Sequence, residues 1–409
     1  MQDFELVYDI LSNIFKEGAY ASIELSKNLS KAVNKNFVTN LVYGELERDI
    51  EFDYYISRLC MKKPKKPIAI ILKIGMYCLK YLNSIPAYAA VSNTVDLCSY
   101  ANKRELKGFV NATLKRFASG EIDYPINEIE RLSVEFSTPR FIVEEYIKAY
   151  GIEKTKAMLL KSKFPYEHFR INKTYSIEKL KQDLKKNKIK YIDSMDNAIF
   201  AKNDKFMHDL YSEGFVTIQS KTSMLVCEKM ELNDGDKVLD LCAAPGGKSV
   251  YMSEIKDVKI TSCDIHSHRL DLITSYVNRM KSEGITTCLN DATKVNNDFI
   301  DLFDKVLCDV PCSGLGVAKK KPDIYLNLTK EIVSGLPKIQ YLILNNAKYY
   351  VKQGGILMYS TCTTLPQENE QVVDRFIKEN KGFELIEMTQ YLPIEDGIDG
   401  FFIAKLRRI

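Results

Sequence analysis

Two cysteines stand 50 positions apart, each just past a short apolar run. Cys312 follows Lys305-Val306-Leu307-Cys308-Asp309-Val310-Pro311, and Cys362 follows Gly355-Ile356-Leu357-Met358-Tyr359-Ser360-Thr361. Both runs are rich in branched and aliphatic residues and are closed by Pro, Ser, Thr or Gly. Each therefore reads as a buried strand with its cysteine at the exit. In an open α/β sheet the carboxyl ends of the strands share one crevice, where ligands bind. Two thiols facing one crevice suit an enzyme that uses one cysteine as nucleophile and a second group to complete the reaction. A free thiol ionises near ~8.5, so the nucleophile has to be activated by its surroundings. Cys60, Cys78, Cys98, Cys227, Cys263, Cys288 and Cys308 lack this setting and read as buried small hydrophobes.

A second constellation lies upstream. Val238-Leu239-Asp240-Leu241 is followed by Cys242-Ala243-Ala244-Pro245-Gly246-Gly247-Lys248-Ser249, which places small residues between a strand and a helix. Gly and Ala there let the backbone approach a ligand closely, and the helix start offers free N–H groups. A Walker loop would need glycine where Cys242 stands, so a nucleoside fits better than a triphosphate. Asp264 ends the next strand, 18 residues past Gly246, where such folds set a carboxylate against ribose hydroxyls; the competing role is capping the helix from Ser267. Asn290-Asp291 follows a further apolar segment and could meet an adenine edge or simply make a turn.

These residues require a scaffold of alternating strands and helices. From about 215 onward the order is strand–helix, which predicts a Rossmann-like α/β domain with a mostly parallel sheet. Its expected elements include strands at Val238–Leu241 and Lys259–Asp264, a helix Ser267–Lys281, a long helix near Thr329–Val351 and a closing strand Phe401–Leu406. Residues 1 to about 120 carry apolar residues at helical spacing, as in Phe4, Val7, Tyr8, Leu11 and Ile14, and predict an all-α bundle. Between them lies an α+β connector, with a helix Arg140–Lys161, strands Phe169–Asn172 and Ala198–Ala201, and a helix Ser176–Lys186. The expected division is 1–125, 126–214 and 215–409.

The chain has 409 residues, enough for two or three domains, with 45% hydrophobic and 27% charged residues. A net charge of +4 is too slight to mark a nucleic-acid binder by itself. Ten cysteines without a Cys-x-x-Cys pair, and only four histidines, argue against a disulfide scaffold and a metal site. No stretch reads as a membrane span or signal peptide, so the expectation is a cytoplasmic protein with reduced thiols.

Taken together, Leu239–Lys248, Asp309-Val310-Pro311-Cys312-Ser313-Gly314, and Ser360-Thr361-Cys362-Thr363 with Pro366-Gln367-Glu368-Asn369-Glu370 resemble the RNA cytosine-C5 methyltransferases that use S-adenosylmethionine. Residues Ile85–Asn93 and Gly108–Arg116 resemble the NusB-like domain fused to that catalytic unit in the ribosomal small-subunit methyltransferase B family. The resemblance spans essentially the whole chain. It implies a class I methyltransferase domain and methylation of carbon 5 of a cytosine in 16S ribosomal RNA, with no obligate protein partner evident. It implies Cys362 as nucleophile, Cys312 in product release and Asp309 at the cytosine edge, with Lys248 a candidate positive charge near the thiol. Cofactor contacts are expected from Cys242, Ala243, Ala244, Pro245, Gly246, Gly247, Lys248, Asp264, Asp291 and Asp309; Cys242 is expected to pack rather than react. Alternatives are the same reaction on transfer RNA and a non-catalytic RNA-binding factor. Lys319–Lys321 stand where the family commonly has arginines before Pro-Asp-Ile, and the usual nearby tryptophan is missing. The lysines at 62–66 are as readily a solvated surface as an RNA contact, those at 185–190 read rather as solvated surface, and Arg170 and Asn172 are weaker candidates for RNA contact.

Overall fold

The computed structural model describes residues 1–120, 122–160 and 164–409. They group into two compact units, Met1–Leu160 with Ala318–Leu328, and Lys161–Val317 with Thr329–Ile409. Among the described residues no helix is long and apolar enough to cross a membrane, and no group of three or more His, Cys, Asp or Glu side chains could hold a metal ion.

The first unit is helical, as the spacing predicts. Its central helix, Lys66–Tyr81, buries nearly every residue from Ile68 to Cys78 and so carries apolar side chains all round. Helices Gln2–Glu17, Lys35–Glu47, Ala87–Tyr100 and Lys107–Ser119 pack around it. Two glycines permit the closest approaches: a Cβ on Gly44 would fall 2.0 Å from the Tyr77 ring, and one on Gly75 would fall 2.8 Å from Leu114. Two buried charged groups are paired. Lys73 contacts Asp49 and Asp53, and Glu51 accepts from Lys80, Tyr55 and Tyr81 at 2.7–2.8 Å. The helix expected over Arg140–Lys161 runs from Arg140 to Leu159 and breaks at Gly151, whose φ is 76°; Lys161 lies outside the described residues.

Ala318–Leu328 belongs to this helical unit although it follows the Cys312 loop in sequence. Asp323 accepts a hydrogen bond from the backbone N–H of Ala21 at 3.1 Å, at the start of helix Ala21–Asn28, which has no side-chain cap from its own N-cap residue. Leu326 packs against the helical core.

The second unit holds two sheets. The smaller has strands β1 (Glu167–Ile171), β2 (Tyr191–Met195), β3 (Ala198–Ala201) and β4 (Val216–Ile218), antiparallel in the order β2-β3-β1-β4. Strand β3 and helix Ile177–Lys186, capped by Ser176, lie where the sequence places them.

The larger sheet has β5 (Lys237–Asp240), β6 (Lys259–Asp264), β7 (Ile285–Leu289), β8 (Phe303–Asp309), β9 (Val351–Thr361), β10 (Phe383–Tyr391) and β11 (Phe401–Arg408). The order is β10-β11-β9-β8-β5-β6-β7; β5 to β9 are parallel, and β11 pairs antiparallel with β9 and β10. This confirms the Rossmann-like expectation. The expected helix to Val351 ends at Ala347, and Val351 instead opens β9. Strand order reverses between β5 and β8, so the ligand crevice of such a sheet opens above those two strands.

Candidate functional site

Neighbouring parallel strands carry their exit loops side by side. In the β8–β9 register Asp309 faces Ser360, so Cys312 and Cys362 leave adjacent strand ends at nearly the same height. Their sulfurs lie 3.3 Å apart. Backbone bonds tie the loops together: Val310 N–H donates to Ser360 O at 3.1 Å and Gly316 N–H to Cys362 O at 3.0 Å. Gly316 in turn accepts from Gly400 N–H at 2.9 Å, and a Cβ on Gly316 would fall 1.9 Å from the Gly400 oxygen. Only glycine fits there.

The neighbouring Cys362 sulfur, then burial, hold the Cys312 thiol well above the ordinary cysteine range. Two adjacent thiols resist double ionisation because like charges at this spacing repel. Burial likewise raises the thiols of Cys227, Cys242, Cys263 and Cys308, which keeps them protonated and unreactive.

Asp309 is held from both sides. One carboxylate oxygen accepts from Ser360 Oγ at 2.8 Å and the other from Lys248 Nζ at 2.6 Å. Burial acts against the Lys248 charge, but the Asp309 carboxylate outweighs it and raises the ammonium above its usual range. The Lys248 ammonium also lies 5.4 Å above the Phe401 ring. Thus the cation suggested for a thiol is placed against the carboxylate instead.

The turn after β5 fits a nucleoside cofactor. Gly246 has φ 105°, and a Cβ there would press on Ile273 at 3.2 Å. Helix Gly247–Ile255 starts at that residue with no side-chain cap, which leaves its first N–H groups available. A cavity of about 440 Å³ is lined by Cys242, Ala243, Ala244, Pro245, Gly247 and Lys248, and reaches Asp240 and Asp309. Asp264 and Asp291 do not line it; they stand farther along the same edge, after β6 and β7. Asp264 accepts from His266 N–H at 3.1 Å and pairs with Arg269 at 3.3 Å, so it fastens the turn before the next helix rather than acting as that helix's N-cap. Asp291 accepts from the Thr293 hydroxyl at 2.6 Å and contacts Lys294, and the Thr293 bond leads the causes that lower its pKa. Next to it, the buried Asn290 Nδ2 has no hydrogen-bond partner, an orphan donor on the cofactor edge of the sheet.

Arg170 and Asn172 do not face RNA. Arg170 is fully buried, paired with Glu254, bonded to Gln219 at 2.7 Å and stacked on Tyr251. Asn172 donates to the Met280 carbonyl at 2.7 Å. Both are structural. Sequence reasoning assigned no role to Asp240 and Glu368. Asp240 lies under the cofactor turn and accepts from Ser249 Oγ at 2.7 Å; burial, against that hydrogen bond, pushes its carboxyl up to about 7. Glu368 lies beneath both cysteine loops. Each is a carboxylate inside a stretch the sequence had already marked, Leu239–Lys248 and Pro366–Glu370.

Comparison with known proteins agrees with this geometry. The 16S rRNA methyltransferase RsmB/F family matches residues 227–407, and the NusB family matches residues 2–119. The chain is 32% identical to the probable ribosomal RNA small subunit methyltransferase B of Bacillus subtilis (strain 168), over 97% of this chain and 94% of that one. It is 30% identical to the ribosomal RNA small subunit methyltransferase B of Proteus mirabilis (strain HI4320), over 94% and 93%. The crystal structure of PH0851 superposes with a TM-score of 0.85 at 20% identity, over 100% of this chain and 98% of that one. NSun6 from Pyrococcus horikoshii with SFG gives 0.58 at 21% identity, over 65% and 97%. With a NusB match at one end, a methyltransferase match at the other and near-complete coverage by these relatives, the chain belongs to the ribosomal RNA small subunit methyltransferase B family.

Proposed function

We propose that this chain methylates carbon 5 of a cytosine in 16S ribosomal RNA, by way of a covalent bond between Cys362 and carbon 6 of the base. The observation that carries this reading is the pair of strand-end sulfurs 3.3 Å apart, with Asp309 three residues before one of them. Methylation of ribosomal RNA rests on the family to which the chain belongs. S-adenosylmethionine is the cofactor; when bound it supplies a methyl group made electrophilic by its sulfonium. The turn Cys242–Lys248 with Asp264, Asp291 and Asp309 would hold the donor, and Cys312 and Cys362 would act on the base.

Carbon 5 of cytosine is a poor nucleophile while the ring is aromatic. The Cys362 thiolate adds to carbon 6, and the displaced electron pair makes carbon 5 able to take the methyl group. Asp309, fixed by Ser360 and Lys248, holds the amino and N3 edge of the base. The carbon-5 proton then leaves, the double bond reforms and Cys362 is expelled as thiolate. Cys312, having first lost its own proton to solvent, takes that proton as its thiolate. Its thiol is raised chiefly by the sulfur of Cys362, and that restraint ends once Cys362 is bonded to carbon. Reaching carbons 5 and 6 of a paired base requires an unstacked nucleotide.

In this reading residues 1–125 bind RNA, 126–214 connect and 215–409 catalyse, in a cytoplasmic protein. The decisive experiment uses the full chain with 16S rRNA and labelled cofactor. Cys362→Ser should abolish transfer while cofactor affinity is retained; residual transfer would remove it as nucleophile. Cys312→Ser should accumulate a protein–RNA adduct that survives denaturant, and its absence would undo the release role. Bisulfite sequencing of RNA from a deletion strain tests the substrate: loss confined to a transfer RNA would exclude the ribosomal reading.

A further inference from the structure

Glu368 has no solvent exposure, yet it carries a carboxylate. Burying such a group is costly unless its oxygens are well bonded. Here they receive four donors. Ser313 N–H and Gln340 Nε2 donate to one oxygen, each at 2.9 Å. The hydroxyls of Ser313 and Thr363 donate to the other, at 2.6 and 3.2 Å. Gln340 Nε2 also donates to Pro311 O at 3.0 Å. Ser313 and Thr363 are the residues directly after the two cysteines, and their hydroxyl oxygens are 2.7 Å apart. One carboxylate therefore clasps the downstream side of both thiol loops.

We infer that Glu368 is the positioning residue that sets the two thiols in register, so that attack by Cys362 and release by Cys312 occur at one base; this rests on the covalent reading above. It touches neither substrate nor cofactor. Its action passes through Ser313 to Cys312 and through Thr363 to Cys362. Burial works to raise its carboxyl, and the four donors oppose that rise. Glutamine keeps the side chain's shape but presents an NH2 to at least one donor. A misplacement of about 1 Å in a reacting group costs about 10²-fold in rate.

The test compares Glu368→Gln with the parent full-length protein on 16S rRNA, and on the same RNA carrying 5-fluorocytidine. Fluorine at carbon 5 cannot leave as the proton does, so the adduct is trapped and its formation is timed separately from release. The expected result is a kcat lowered about 10²-fold, slower adduct formation, and an unchanged KM for S-adenosylmethionine. Ser313→Ala should slow release more than addition, and Thr363→Ala addition more than release. A Glu368→Gln enzyme with the parent's kcat overturns the inference. So does a fall in kcat matched by lost cofactor affinity, which marks a general structural role. Should Glu368→Gln not fold, the two hydroxyl variants decide, and the absence of their opposite bias overturns it. A parent that traps no adduct defeats the covalent reading itself, whereas trapping by the parent with unaltered variants defeats the Glu368 assignment alone.

Discussion

Asp240 shows how one buried carboxylate turns the environment of a ligand loop into a pH dependence. Its unfolded value is about 3.9, and in the folded chain burial pushes it up to about 7 despite the Ser249 bond. The folded state thus holds the proton longer. This contribution to stability is full below about pH 4 and is lost as pH rises through about 7. Asp240→Asn removes the dependence, so its melting temperature should gain on the parent's between about pH 4 and pH 7 and level off above. A difference that stays flat across that range would contradict the environment described. At this same scale the cysteine pair was legible in the sequence, because strand exit and flanking residues are local features. Glu368 was not. Its partners, Ser313 and Thr363, are separated by 50 positions and meet only because β8 and β9 are neighbours.

The strands that sequence reasoning missed, β2, β4 and β10, are all edges of their sheets, and β4, Val216-Thr217-Ile218, is only three residues long. An edge strand is half solvated and carries polar residues at positions a central strand would fill with Val or Ile. Strand β10, Phe-Glu-Leu-Ile-Glu-Met-Thr-Gln-Tyr, fully buries only Phe383. Interior strands such as β5, β6 and β8 have both faces covered, and their apolar runs announced them. Helical packing gives a test on the same footing. Gly44 lies against Tyr77 with no room for a Cβ, so Gly44→Ala should destabilise the helical unit by about 1–3 kcal/mol. Native-state hydrogen exchange of the amides in Lys35–Glu47 reads this directly, and unchanged protection would mean that the Tyr77 ring swings aside at no cost.

On the scale of the whole molecule, the chain does not divide at one cut. The helical unit takes its last piece, Ala318–Leu328, from beyond the Cys312 loop. Asp323 then serves the start of helix Ala21–Asn28 from 302 residues away. Replacing Asp323 by alanine should cost about 1 kcal/mol, the size of a lost helix cap. The loss should appear as faster exchange at the Ala21 amide, and protection equal to the parent's would refute the cap. A fragment 1–160 should show the same faster exchange. The lysines 319–321, weighed in the sequence as RNA contacts beside the catalytic loop, are thereby counted with the helical unit.

That remote cap also gives the protein a history each time it is made. Residue 318 leaves the ribosome 158 residues after residue 160, a delay of roughly 8–32 s at the usual speed of synthesis of about 5–20 residues per second. Through that interval the nascent helical bundle lacks the segment Ala318–Leu328, with Asp323, Tyr325 and Leu326 among its contacts, and its second helix begins with an unanswered amide. The N-terminal unit is the first to be born and, by this one hydrogen bond, among the last to be finished.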